Sequence, residues 1–307
     1  MPSDTTTNAA PALSNDEASL YDRQIRLWGV EAQSRLRNAS VLVIGLTEAG
    51  AEISKNLILA GVKRLDIIDD RLMSDIDGRS HFFFPFRRNI PNQKISSAAV
   101  PYCKALNPLV EISDVSLDIF DESVDDSFLS KYDLICFIDY DRSKVNLANI
   151  SSLNNKCRSS NVKFVVCGNF GFFAYVFLDL INFEYFKEIE ENTSIDHDLN
   201  DDEPPEAKKC KSSKPEKLVK HIEKFVPFEM ITRKLHIKSN QSKKFKKLPS
   251  AFYIFSVINQ YCEQARKNPS SLPEDLNLLG DVYSKTIEDV SLAINDLAFE
   301  IQRFSPQ

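Results

Sequence analysis

Apolar residues in the first two-thirds of the chain follow two alternating patterns. Short, largely apolar runs at 41–44, 65–68, 132–138 and 163–167 predict strands buried on both faces. Between them, apolar positions recur every three or four residues, as amphipathic helices require. The sharpest unit is 41–70, VLVIGLTEAGAEISKNLILAGVKRLDIIDD. Its first strand breaks at Gly45. A helix then sets Ile53, Leu57 and Ala60 on one side and Glu52, Lys55 and Asn56 on the other. Gly61 fits the position just past the helix end. A second strand follows and stops at Asp69 and Asp70. This strand–helix–strand unit of about thirty residues opens a nucleotide-binding fold, with an acidic residue at the tip of its second strand.

The flanking pattern extends that unit in both directions. Ser14 and Glu17 have capping-box spacing and start a helix through Leu20, Tyr21, Ile25 and Trp28, which stops near Gly29. A short second helix covers 30–38. Downstream, 92–106 is helical with Pro101 expected to kink it. Strands are predicted at 111–116, 132–138 and 163–167, the end of a helix at 127–131, and a helix at 142–158. The apolar strand at 172–180 has no helix before it, so it can run in reverse. Alternating strands and helices give an α/β chain: a doubly wound, Rossmann-like, mostly parallel sheet with helices on both faces and its last strands reversed. Helical spacing returns over 249–266 and 273–305.

Composition changes the picture after 183. Residues 184–206 hold ten carboxylates and no aromatic after Phe186, and a lysine-rich run follows at 208–217. Such a stretch buries too little apolar surface to fold. The expected organisation is a disordered tail at 1–13, one domain formed by 14–186 plus 221–307, and a disordered charged insertion at 187–220. Lys208, Lys209 and Lys211 resemble a nuclear import signal, so the nucleus is the expected location. The basic run at 243–247 reads as a solvated loop. The chain carries a net charge of −6, which argues against nucleic acid as a partner. No apolar run is long enough to span a bilayer, and the polar start lacks the features of a secretory signal. Six cysteines form no CxxC pair, so no zinc site is expected. His81 lies beside three phenylalanines without a second ligand at a suitable spacing, and is read as a packed surface histidine.

The loop Gly45-Leu46-Thr47-Glu48-Ala49-Gly50 departs from a dinucleotide fingerprint. The middle glycine, which lets the backbone approach a phosphate, is Thr47. Glu48 adds a negative charge where phosphates would sit. The loop keeps its fold signal, while its phosphate-binding signal is weakened. The helix at the N-terminus carries Arg23 and Arg26, which as residues alone read as solvated arginines.

Three stretches together resemble one family: YDRQIRLWG at 21–29, the glycine-loop unit at 41–62, and GNFGFFAYVFLDL at 168–180. They are similar to the smaller subunit of heterodimeric SUMO-activating enzymes, which share a fold with the adenylyltransferases MoeB and ThiF. The resemblance implies an inactive half of a paired enzyme. The active half, the large catalytic subunit, would bind ATP and Mg²⁺, adenylate SUMO and pass it to a cysteine. This chain would bind no nucleotide or metal of its own. Gly45, Gly50 and Asp69, the last where the family's ribose-binding acid lies, would be remnants of a pocket. The chain has Arg79-Ser80-His81 where active halves have Asn-Arg-Gln, and Asp139 followed by Tyr140 near the family's metal-binding Asp. Arg23, the arginine of YxRQ, is implied to cross the interface and reach the partner's ATP phosphates.

Other readings make different demands. An autonomous adenylyltransferase or dehydrogenase would need an intact phosphate loop. An interaction scaffold that sequesters a partner would need only the surface. A subunit serving a related modifier, as in neddylation, is expected to be longer. Family members continue with a glycine-rich helix and closing strands where this chain stops at RFSPQ, which is expected to weaken the fold.

Overall fold

The computed structural model describes residues 14–75, 81–84, 92–121, 124–138, 147–170, 173–189 and 217–235. Strands β1 (Ser40–Ile44), β2 (Arg64–Ile68), β3 (Glu111–Asp114), β4 (Leu134–Ile138), β5 (Lys163–Phe170) and β6 (Phe173–Asp179) form one sheet in the order β3-β2-β1-β4-β5-β6. The first five run parallel; β6 pairs antiparallel to β5, with Gly168 opposite Tyr175. The doubly wound order and the reversed last strand are those the apolar pattern predicts.

The central strands are apolar without alternation because both faces are covered. Val41 and Val43 of β1 enter a core built with helices α3 (Glu48–Ala60) and α4 (Ile95–Leu106), through Ala51, Ile58, Ala99 and Cys103. Leu42 and Ile44 enter a second core with Leu129 of α5 (Asp126–Leu129), Ile150 and Leu153 of α6 (Leu147–Ser159), and Phe228 of α7 (Phe228–Leu235). Successive residues of one strand therefore serve two cores.

Two buried carboxylates lock the frame. Asp66 accepts hydrogen bonds from Tyr132 (2.7 Å) and Arg64 (2.9 Å). Burial, and then that contact, hold the Tyr132 phenol well above its ordinary range, so it stays a donor. Asp179 accepts from Arg158 (2.6 Å), Asn154 (2.8 Å) and the backbone of Ile181 (3.0 Å). Asn154 in turn accepts from the amide of Phe228 (2.8 Å), joining α6 to α7. Beyond this hub, β7 (Asn182–Ile189) and β8 (Lys217–Lys224) form a separate antiparallel ribbon.

The ribbon alters the expected boundaries of the charged insertion. Residues 187–189 and 217–220 are paired strand, because a two-stranded ribbon satisfies its backbone without a core, and the Lys220–Glu184 pair across it is exposed. The rest of the insertion, the tail at 1–13, the basic run at 243–247 and the helices expected over 249–305 lie outside the described residues. Among the described residues no helix is long and apolar enough to cross a membrane.

The N-terminal segment also differs in detail. The single helix expected up to Gly29 is split at Tyr21 into α1 (Asn15–Leu20), with the Ser14–Glu17 capping box formed, and α2 (Asp22–Asn38). Gly29, at φ 88 and ψ 161, kinks α2 where the sequence predicts a stop.

Gly50 shows how tightly β1 packs against α3. A Cβ placed there would sit 2.1 Å from the Gly45 carbonyl oxygen, which is backbone and cannot swing aside. Gly50→Ala is expected to destabilise the chain by about 3 kcal/mol. A urea unfolding midpoint equal to that of the wild type would show that the two elements are not in this contact.

Candidate functional site

Helix α3 links the two regions that the sequence singles out, one at each end. At its N-terminus, Gly45 takes φ 89 and donates to the Ile68 carbonyl (2.8 Å), turning the chain out of β1. Thr47, in place of the middle glycine, is the N-cap: its hydroxyl accepts the Gly50 amide (3.2 Å). A helix N-terminus can bind phosphate because its first amides lack partners. Here Thr47 occupies one of them.

The loop is also held from both sides. Asp69, fully buried, accepts the Leu46 amide at 2.7 Å. Arg71 then clasps the same carboxylate, with Nη2 at 2.7 Å, Nε at 3.0 Å and its own amide at 3.2 Å. A carboxylate has about four lone-pair sites, and these four bonds use them. The Leu46 carbonyl meets His81 Nε2 at 2.9 Å, and His81 stacks on Phe84 at 4.7 Å. His81 is thus deeply buried, not at the surface as the sequence suggested. Phe84 and Phe83 pack against its ring, and the Leu46 carbonyl supplies its partner. Arg71 and His81 are the contributors that the sequence pattern missed; Arg71's place two residues after the acidic strand tip is the available signal.

A cavity of 240 Å³ opens beside Asp69, at the ends of β2 and β3, lined also by Asp70, Lys94, Ser96 and Asp118. Lys94 reaches across to the Ser116 hydroxyl (3.0 Å). Besides Asp69, its charged lining residues are Asp70, Asp118 and Lys94. Beside it, Arg71 clasps the Asp69 carboxylate, and the Leu46 peptide and the Gly50 amide already have partners. Arg79, Ser80, Asp139 and Tyr140 lie outside the described residues. Among those described, no cluster of three or more His, Cys, Asp or Glu side chains could hold a metal.

The other end of α3 holds the YDRQIRLWG stretch. The last four carbonyls of a helix need partners from outside it. Gly61, left-handed at φ 82, closes a Schellman turn: its amide meets the Ile58 carbonyl and the Val62 amide meets that of Leu57. Side-chain amides supply the rest. Asn107 donates to Ile58 (2.9 Å), Gln24 to Leu59 (3.0 Å) and Gln33 to Ala60 (2.9 Å). Tyr21 is buried over Gly61, where a Cβ would lie 2.5 Å from its ring, and its hydroxyl accepts from Asn107 (2.9 Å). Trp28 donates to Gln33 (3.1 Å). Tyr21, Gln24, Ile25 and Trp28 recur at i, i+3, i+4 and i+7, so one face of α2 docks and the opposite face points away.

Arg23 lies on the outward face, exposed, with no hydrogen bond or ion pair among the described residues. Arg26, three residues on, is paired with Asp22 at 3.0 Å. Thirteen residues of α3 separate the docking point of α2 from the glycine loop, about 20 Å at the usual helical rise. Arg23 is thus placed away from its own chain's Gly45–Gly50 loop.

A ThiF family model matches residues 21–226, from Tyr21 through the ribbon. The chain belongs to the ThiF family. Among curated relatives, SUMO-activating enzyme subunit 1 of Xenopus tropicalis is 31% identical, covering 92% of this chain and 80% of that protein. The subunit 1 of Dictyostelium discoideum is 31% identical over 96% of this chain and 79% of its own length. That of Xenopus laevis is 32% identical over 92% and 79%. ThiF-family membership accounts for the sheet order and for the loop at the end of β1. It leaves the sealed Leu46 peptide as a feature of this chain's own contacts.

Burial, the largest influence on His81, holds its pKa below the ordinary 6.5. Its folded value is then lower than its unfolded one. The unfolded chain binds the extra proton first, so stability is full above about pH 6.5 and falls as pH drops toward the folded value. His81→Gln keeps a donor for Leu46 and removes the titration. Its denaturation midpoint is expected to fall less than that of the wild type between pH 7.5 and 5.5. Parallel decline of the two would show that His81 is not the buried neutral group described.

Proposed function

We propose that this chain is the non-catalytic subunit of a SUMO-activating heterodimer. In this reading the large subunit binds ATP and Mg²⁺ and carries out adenylation and thioester transfer. This chain docks against it and contributes Arg23 to its nucleotide site. The observation that carries the reading is the placement of Arg23: an exposed guanidinium with no hydrogen bond or ion pair among the described residues, on the face of α2 opposite the one that docks. A cation so placed, unpaired among the described residues, can serve an anionic site outside this chain. The relatives named as subunit 1 of an activating enzyme supply the partner.

The chemistry follows from the side chain. A guanidinium offers a planar fork of donors that matches phosphate oxygens, and it stays charged at all physiological pH. Adenylation builds negative charge on the departing pyrophosphate, and a preorganised cation lowers the cost of that charge. The docking of α2 restricts where Arg23 can point, so little ordering remains to be done when the partner arrives.

Two measurements test the reading. Arg23→Ala, paired with a large subunit, is expected to slow ATP–pyrophosphate exchange by on the order of 10²–10³ without loss of assembly. Arg26→Ala, which removes only a surface pair with Asp22, is expected to exchange at close to the wild-type rate. Equal rates for wild type and Arg23→Ala, with assembly verified by gel filtration, would rule out the arginine's role. The chain by itself is expected to give no calorimetric signal with ATP, given the filled Asp69 and the Thr47 cap. Micromolar binding would contradict that.

A further inference from the structure

The corner between the sheet and the ribbon carries a conformation that its residue does not favour. Ile181, between β6 and β7, has φ 60. That left-handed region crowds a side chain branched at Cβ, and an isoleucine there is a backbone outlier. Asn161, the other non-glycine residue with positive φ among the described residues, is of a type that tolerates it. Ile181 is in neither apolar core, so packing there does not offset the cost. Hydrogen bonds hold it instead. On the sheet side its amide donates to Asp179 Oδ1 at 3.0 Å, two residues back. On the ribbon side its carbonyl accepts the Phe225 amide at 2.8 Å, next to the first ribbon pair, Asn182 with Lys224.

Strain of this kind persists only where the surroundings over-determine it. The buried Asp179 does so here. Arg158 Nη1 donates to both of its oxygens, at 2.6 and 2.7 Å, and Asn154 and the Ile181 amide take the remaining lone pairs. The same Nη1 reaches the Phe225 carbonyl at 3.3 Å. One guanidinium on α6 thus bridges the end of β6 and the residue that follows β8, the two roots of the ribbon. Beyond those roots, β7 and β8 pair only with each other among the described residues. The Arg158 side chain is 28% exposed, so the bridge is accessible from solvent.

We propose that this corner is a strained, latched joint. Arg158 holds Ile181 left-handed and thereby keeps the ribbon at one angle to the sheet; release of Arg158 lets Ile181 relax and the ribbon turn. A change of φ at Ile181 redirects everything beyond it, because the paired strands move as one unit. The latch and the strain oppose each other: relaxation gains the favoured backbone and loses the bonds to Asp179 and Phe225. A corner that only had to be rigid would be served by glycine or asparagine, which hold this conformation at lower cost. The joint is independent of the heterodimer reading, since Arg23 takes no part in it.

The test is a distance measurement on the full chain between two spin labels. They are carried by p-acetylphenylalanine in place of exposed Lys63, just before β2, and of exposed Glu223, on the ribbon. Otherwise wild-type chain is expected to give one narrow distribution. Arg158→Ala is expected to broaden or displace it. Adding Ile181→Asn to Arg158→Ala is expected to restore the narrow distribution, because asparagine keeps the left-handed corner without the latch. Ile181→Asn by itself is expected to raise the melting temperature by about 2–4 °C. A wild-type distribution in Arg158→Ala overturns the latch. A distribution that stays broad in the double variant overturns the strain. Should Arg158→Ala fail to fold, wild type and Ile181→Asn decide the matter. Hydrogen exchange of the Phe225 amide is then expected to slow at least threefold in Ile181→Asn, since a strained joint opens more readily. Unslowed exchange, or a lowered melting temperature, overturns the proposal.

Discussion

The carbonyl groups at the C-terminus of α3 impose the constraint on which the functional surface depends. A helix ending against protein must find partners for its last four oxygens. The Schellman turn at Gly61 serves two of them, and side chains serve the others. Gln24 and Gln33 come from α2, and Asn107 follows α4 and doubles one turn contact. These bonds, with Tyr21 packed over Gly61, hold the N-terminal helices in one orientation. Arg23 and Leu27 inherit their outward direction from the inward direction of Tyr21, Gln24 and Trp28. The surface is therefore organised by a capping requirement at the core.

The opposite end of the same helix has been closed. A glycine loop that binds phosphate leaves amides unpaired and a carboxylate open to sugar hydroxyls. In this chain Thr47 caps one amide, Asp69 takes the Leu46 amide, Arg71 fills the rest of Asp69, and His81 takes the Leu46 carbonyl. Together these contacts engage the Leu46 peptide, the Gly50 amide and the Asp69 carboxylate. Gly45 and Gly50 persist for reasons of backbone geometry: one provides a left-handed turn, and the other allows β1 and α3 to approach. Their presence marks the fold.

Much of this was legible in the residues. The βαβ unit, the mostly parallel sheet implied by alternating elements, the reversed last strand and the break at Gly29 follow from periodicity and from glycine placement. Thr47 and Glu48 were visible as departures from a phosphate loop because that motif is local. His81 was misplaced because burial depends on Phe84 and Leu46, and Leu46 is 35 residues away. Arg71 was missed for a related reason: its neighbour in sequence, Asp69, appeared open until the loop folded over it. The ends of the charged insertion were read as disordered, since charge density signals exclusion from a core and says nothing about backbone pairing at an exposed ribbon.

The sequence by itself determined which segments become strands and helices, because hydrophobic period and glycine placement act over a few residues. It also determined, through a recognisable tyrosine–arginine–glutamine stretch, which helix deserved a functional reading. Only the tertiary structure decided what each polar group bonds to. Gln24 and Gln33 are unremarkable residues in a linear chain. They become structural where the end of α3 arrives with unsatisfied oxygens, and Arg23 becomes available because no such partner meets it among the described residues. Hydrogen-bond demand is set by elements distant in sequence, so the difference between a tethered side chain and an offered one exists only after the chain has folded.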